Sequence, residues 1–246
     1  MTAQPPRAGV AHRGEHWRDH ALEPMRGGFT QSRYFHSYHL GIYLAVNAIP
    51  DAFVAIDGPD CLNRKMEWVH VAHDMRSTLV DPCGEHRVVT TLLSADNVIK
   101  SQGDELQLRI RRIARIPGAG LILVNSQPHV TIIGTQYDKV IAAVGDLGMP
   151  VIEVPSRSLS GDWLGGYADT LEAIAARIDL PDPTKVARHV GVVGHLMDRN
   201  EADQVANVAE IERLVAGAGG ECVSVWLSGR PTSHLREIAS ASTLIA

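Results

Sequence analysis

From Tyr34 onward the chain alternates short apolar runs with longer amphipathic stretches, and this alternation restricts the fold more than any other feature. Leu121-Ile-Leu-Val124 has no polar interruption, as expected of a strand covered on both faces of a parallel sheet. Comparable runs at 52–56, 88–93 and 151–154 are separated by segments with helical spacing. Within 94–116, Leu106, Ile110 and Ile113 fall on one side, while Arg109, Arg111, Arg112 and Arg115 spread outward as a solvated face. Strand and helix repeating in this way predict βαβ units.

The same reading places helices over 38–47, 130–147 and 166–178, the second ended by Gly148-Met-Pro150. Pro181-Asp-Pro183-Thr184 interrupts any regular element and reads as a linker. Beyond it, strands are expected at 189–193, 222–227 and 243–245, with Asn200 capping a helix through Ala216 and Thr232 capping a short one. The fold class is therefore α/β, with two Rossmann-like parallel-sheet βαβ domains, the second incomplete at the C-terminus. The expected divisions are a flexible leader at 1–28, a first domain at 29–180, a linker at 181–187 and a partial second domain at 188–246. A sheet that stops on a short strand suggests a fragment or half of a split gene.

Composition narrows the function. With 23 basic against 28 acidic residues the net charge is −5 and the pI near 6.2, which is not the footprint of a nucleic-acid binder. No apolar run approaches the roughly 18 residues of a spanning helix, and the first 28 residues lack a signal-peptide core, so a cytoplasmic location is expected. The leader's His12, His16 and His20 sit four apart, as metal ligands on one helical face or as part of a mobile solvated arm. Cys61, Cys83 and Cys222 are too sparse for a disulfide framework and have no paired zinc spacing. Phosphate-loop, nucleophile-elbow and zincin motifs are missing from the sequence. Gly191-Val-Val-Gly194 resembles only part of a dinucleotide fingerprint and reads as strand-end packing.

Cys61 follows the turn Asp57-Gly58-Pro59-Asp60 and is expected to open a helix, where unpaired amides favour the metal-binding thiolate; a buried inert cysteine is the alternative. His70 and His73 share a helical face, without a third ligand in the sequence nearby. The loop Asn125-Ser-Gln-Pro-His129 leaves the carboxyl end of a predicted parallel strand, where open α/β sheets bind ligands.

Several segments in order carry a family resemblance: Gly58-Pro-Asp-Cys61, Ser94-Ala-Asp-Asn-Val-Ile-Lys-Ser-Gln-Gly103, Leu121-Ile-Leu-Val-Asn-Ser126 and Ile132-Ile-Gly134. Val151-Ile-Glu-Val-Pro155, His189-Val-Gly-Val-Val-Gly194, Ala209-Glu-Ile-Glu-Arg-Leu214 and Leu227-Ser-Gly-Arg230 continue it. Over about residues 34–246 the chain resembles the nitrogenase component 1 superfamily, which includes nitrogenase molybdenum-iron protein subunits, cofactor-assembly scaffolds and dark-operative protochlorophyllide reductases.

The resemblance implies an iron-sulfur cluster between two homologous subunits, held by cysteines at three loop positions of a ligand-rich subunit. Here the middle position falls on Cys61, the first near Ser37 with His36 and His39 beside it, and the last on Pro128 next to His129. Proline offers no side-chain donor and serine a poor one. In protochlorophyllide reductase one partner supplies a single aspartate from the loop where Asp60-Cys61 stands. This chain is similar to such a one-ligand subunit, with Cys61 as metal and cofactor ligand of a [4Fe-4S] cluster shared with a homologous cysteine-rich subunit.

The further implied partners are an ATP-dependent iron-sulfur reductase and a small-molecule substrate, with neither nucleic acid nor membrane. Two rival readings are a non-catalytic scaffold or assembly subunit without a cluster, and a small-molecule-binding α/β protein using the cleft between domains.

Overall fold

A computed structural model describes residues 37–59, 61, 63–80, 86–94, 103–128, 130–131, 134–157, 161–181, 184–197 and 203–246. The leader histidines, His36, Asp60, Cys83, His129, Asn200 and most of the 94–103 segment lie outside the described residues.

Helix α1 (Tyr38–Asn47) leads into β1 (Ala52–Asp57), and a short helix α2 (Asn63–Trp68) continues as a π-helical turn (Val69–His73) before β2 (Val88–Thr90). There follow α3 (Asp104–Ile113), β3 (Leu121–Ser126), α4 (Tyr137–Val144), β4 (Val151–Glu153) and α5 (Trp163–Arg177). The strands form a four-stranded sheet in the order β2-β1-β3-β4, every neighbour parallel. The later elements are β5 (Val186–Val192), α6 (Gln204–Gly217), β6 (Glu221–Val225), α7 (Thr232–Arg236) with a 3-10 turn (Glu237–Ser240), and β7 (Ala241–Ile245). They build a three-stranded parallel sheet in the order β6-β5-β7.

The central strands β1 and β3 are buried at every residue, the outcome their unbroken apolar runs demand. Side chains alternate between two layers. Phe53, Ala55, Ile122 and Val124 meet Leu106, Ile110 and Ile113 of α3 and Val140 and Val144 of α4. Ala52, Val54, Ile56, Leu121 and Leu123 face the other way, into a core shared with α1, α5 and, from the second sheet's elements, Trp226, Leu235 and Ile238. Helix α1 is buried all round, so its sequence is apolar on every face rather than on one stripe. Its crossing with α5 depends on glycine: a Cβ on Gly41 would stand 1.7 Å from the Trp163 carbonyl oxygen, and one on Gly166 would stand 2.0 Å from that of Tyr38.

The α/β class and the parallel sheets agree with the sequence; several boundaries do not. The helix expected over 130–147 is confined to Tyr137–Val144. Gly134 takes a left-handed φ of 74° and the Thr131 hydroxyl donates to the Pro128 carbonyl at 2.5 Å, so the chain turns before it can coil. Helix α5 starts earlier than expected, where the Asp162 carboxylate caps the Gly165 amide at 2.9 Å. Strand β5 begins at Val186 rather than His189, and α6 begins at Gln204. Thr232 is not a cap but the first residue of α7; the carboxylate of Asp51 accepts its amide instead. Within Gly191-Val-Val-Gly194, Gly191 is closely packed, since an added Cβ would lie 2.6 Å from Ile238, whereas Gly194 has open space around it. No helix among the described residues is long and apolar enough to cross a membrane.

Candidate functional site

The register of β1 on β3 pairs Asp57 with Ser126, so both strands end at the same edge. The loops leaving that edge, through Gly58 to Cys61 and through Gln127 to Pro128, are therefore neighbours although distant in sequence. This is where parallel sheets present ligand-binding loops.

Gln127 joins the two loops. Its backbone amide donates to the Asp57 carbonyl at 3.0 Å and its Nε2 to the Pro59 carbonyl at 2.9 Å. Its Oε1 accepts from the Cys61 thiol at 3.4 Å, and the residue is only 3% exposed. Gly58 permits this approach: an added Cβ would lie 2.7 Å from Gln127 Cγ. Behind the loop, Asp57 is buried with both oxygens engaged, Oδ1 by the Thr91 hydroxyl at 2.9 Å and Oδ2 by Tyr137 at 3.0 Å. Gly58 N donates to Thr91 Oγ1 at 2.9 Å. This carboxylate braces the turn and has no lone oxygen facing the loop.

The start of α1 closes the third side. His39 lies 3.2 Å through Nε2 from the Ser126 carbonyl, a contact in which Nε2–H donates. The Ser126 and Ser156 hydroxyls are 2.6 Å apart, and Asn125 Nδ2 donates to the Val154 carbonyl at 2.9 Å. Further along α1, Tyr43 is fully buried and its hydroxyl has no hydrogen-bond partner among the described residues. Burial pushes its phenol well above the usual range, and the charge of the nearby Cys61 adds to the shift.

Cys61 is exposed, in the turn ahead of α2. Of the three positions singled out in the sequence, Cys61 and the loop of Pro128 come together through Gln127. Ser37 is the N-cap residue of α1 and is bridged to Asp162, with no contact to Cys61 recorded among the described residues. His70 is exposed and His73 partly buried within the π-helical turn, and the described residues contain no group of three His, Cys, Asp or Glu that could hold a metal ion. One soft thiolate beside a proline does not fit a cluster held by this chain alone. A lone thiol could serve only as one ligand among several. Cys222 lies in β6 with its thiol pushed up by burial and by Glu212, away from this edge.

Sequence reading passed over Gln127 and Tyr43. Gln127 adjoins Pro128 in a loop already singled out, but its partners lie in another loop; in the sequence, Tyr43 is one more apolar residue of the helix expected over 38–47. A cavity of about 490 Å³ opens beside Thr184, Glu221, Cys222 and Arg236, at the amino-terminal end of β6 rather than at the carboxyl edge.

The family described as "Nitrogenase component 1 type Oxidoreductase" matches residues 37–246. Among solved structures, the fold is similar to one described as "Nitrogenase Cp1 at pH 5", with a TM-score of 0.62 and 14% identity, covering 84% of this chain and 41% of that one. A second, "Nitrogenase Cp1 at pH 6.5", gives 0.63 and 15%, covering 83% and 42%. The chain thus spans about two fifths of the length of those chains. No curated protein matches its sequence.

Proposed function

Since the chain belongs to the nitrogenase component 1 type oxidoreductase family, we propose that it acts as a one-ligand subunit of a nitrogenase-like enzyme. Cys61 lends its thiolate to a [4Fe-4S] cluster shared with a homologous cysteine-rich subunit. A separate ATP-dependent iron-sulfur reductase provides the electrons, and a small molecule receives them. The sequence contains no phosphate loop, in keeping with nucleotide hydrolysis on another chain. The complex would work in the cytoplasm, without nucleic acid or membrane.

The observation that carries this reading is the placement of Cys61: an exposed thiol on a braced loop at the carboxyl edge of a parallel sheet. When bound, an iron-sulfur cluster supplies one-electron transfer at a potential set by its surroundings. The residues of this chain do the remainder. Gln127 ties the Cys61 loop to the neighbouring strand end, and the Asp57, Thr91 and Tyr137 hydrogen bonds fix the turn beneath it.

The second reading, a scaffold subunit without a cluster, draws on Pro128, which stands at an expected ligand position with no donor. Iron and sulfide content of the chain, measured with and without its cysteine-rich partner, separates the two. The proposal expects iron in the complex, strongly reduced by Cys61→Ala and partly kept by Cys61→Ser or Cys61→Asp. Equal iron in wild type and Cys61→Ala would leave the scaffold reading in its place.

A further inference from the structure

Strand β6 forms one edge of its sheet, in the order β6-β5-β7. The cavity of about 490 Å³ beside it is lined by Glu221, Cys222 and Val223 of that strand and by Arg236, Glu237 and Ala239 of α7 and its 3-10 turn. Spaces of this size accept small organic molecules. None of these residues belongs to the Cys61 loop.

The charged groups of the wall differ in what they already hold. Glu237 accepts from His234 Nδ1 at 2.6 Å, and Glu221 lies 3.6 Å from His189 Nε2. Arg236 has neither a hydrogen bond nor an ion pair among the described residues, and its Nε is buried. A buried N–H without an acceptor costs stability, because it has given up water for nothing. An oxyanion in the cavity would supply the missing acceptor. The guanidinium edge offers two parallel N–H donors, spaced to meet both oxygens of one carboxylate.

The rest of the wall selects among anions. The side chains of Glu221 and Glu237 are 73% and 55% exposed, so solvent screens them without removing their charge. Two carboxylates at the rim repel a doubly charged phosphate more than a singly charged group. Burial and Glu212 push the Cys222 thiol up, so it adds no further negative charge. Pro181, Val223 and Ala239 give an apolar surface against which the body of a molecule can rest.

We propose that this cavity binds a small organic carboxylate, with the Arg236 guanidinium as its anchor. The site stands apart from the reading of Cys61 as a metal ligand, and neither depends on the other.

Cys222 in the same wall reports on occupancy. The full chain is treated with iodoacetamide, and alkylation of the Cys222 peptide is followed by mass spectrometry. Butyrate, butyramide or inorganic phosphate is present at millimolar concentration, with ionic strength held constant by chloride. Butyrate should slow the alkylation of Cys222 severalfold and raise the urea midpoint of the chain. Butyramide, which has the same shape without the charge, should do neither, and phosphate should protect less than butyrate. Arg236→Gln should abolish the response to butyrate.

Equal effects of butyrate and butyramide, or no protection by butyrate, would overturn the proposal on the wild-type chain alone, whether or not the variant folds. A folded Arg236→Gln that responds as wild type would overturn it as well, and stronger protection by phosphate would overturn the choice of a carboxylate.

Discussion

Asp51 Oδ1 accepts both the backbone amide and the hydroxyl of Thr232, at 2.8 and 2.9 Å, across 181 residues of sequence. The turn before the first strand thereby caps α7, beyond the second sheet's central strand. The Asp51 carbonyl also accepts the Gly120 amide at 2.8 Å, and its carboxylate fills the space where a Gly120 side chain would stand. Asp51→Ala should therefore cost about 1–2 kcal/mol, the range for losing a helix-capping side chain. Urea unfolding of the full chain reads this directly.

The glycine crossing of α1 and α5 makes a larger prediction. Gly41→Ala sets a methyl group against backbone that has no rotamer to yield, so it should destabilise by about 3 kcal/mol, the upper end of overpacking costs. Gly217→Ala meets nothing within 4 Å and lies in α6, so it should be neutral or stabilising by up to about 1 kcal/mol. Thermal melts of the two variants should shift in opposite directions or differ by several degrees.

His234 makes stability depend on pH. The Val225 amide donates to its Nε2 at 3.0 Å, so that nitrogen carries no proton, and its Nδ1 donates to Glu237 at 2.6 Å. Burial holds the imidazole below its ordinary value of 6.5, with Arg230 acting in the same direction against Glu237 and Glu212. The unfolded chain therefore binds this proton first. The contribution is fully present above the unfolded value and is lost as pH falls below about 6.5. His234→Gln keeps an acceptor for Val225 but cannot titrate, so its melting temperature should fall less between about pH 7.5 and 5.5. Equal falls in the variant and the wild type would remove this histidine from the account.

The two described cysteines should differ in reactivity. Cys61 is exposed, whereas the Cys222 thiol is pushed up by burial and by Glu212. Brief treatment with iodoacetamide at neutral pH, followed by peptide mapping, should find Cys61 alkylated well before Cys222. The reverse order would contradict the exposure of the Cys61 loop.

The strands were legible in the sequence because a parallel sheet covered on both faces needs unbroken apolar runs, and 121–124 and 52–56 supply them. Helix α3 was legible because Leu106, Ile110 and Ile113 recur at helical spacing and are the residues it buries. Of the arginines expected outward, Arg111, Arg112 and Arg115 are exposed, whereas Arg109 is partly buried and paired to Glu105 one turn back at 2.6 Å. The start of α4 was not legible. The segment before it is equally apolar, and only the left-handed Gly134 and the Thr131 turn show that it does not coil.

By itself the sequence determined the α/β class, the parallel strands, the family and Cys61 as the residue to weigh, since these rest on local patterns of apolar spacing and residue type. Tertiary structure alone decided what each polar group meets. The β1 to β3 register brings Gln127 to Cys61, and the packing of α1 leaves Tyr43 without an acceptor. Hydrogen-bond partners of buried side chains are set by contacts between distant segments, and apolar periodicity records only that a residue turns inward, not what it finds there.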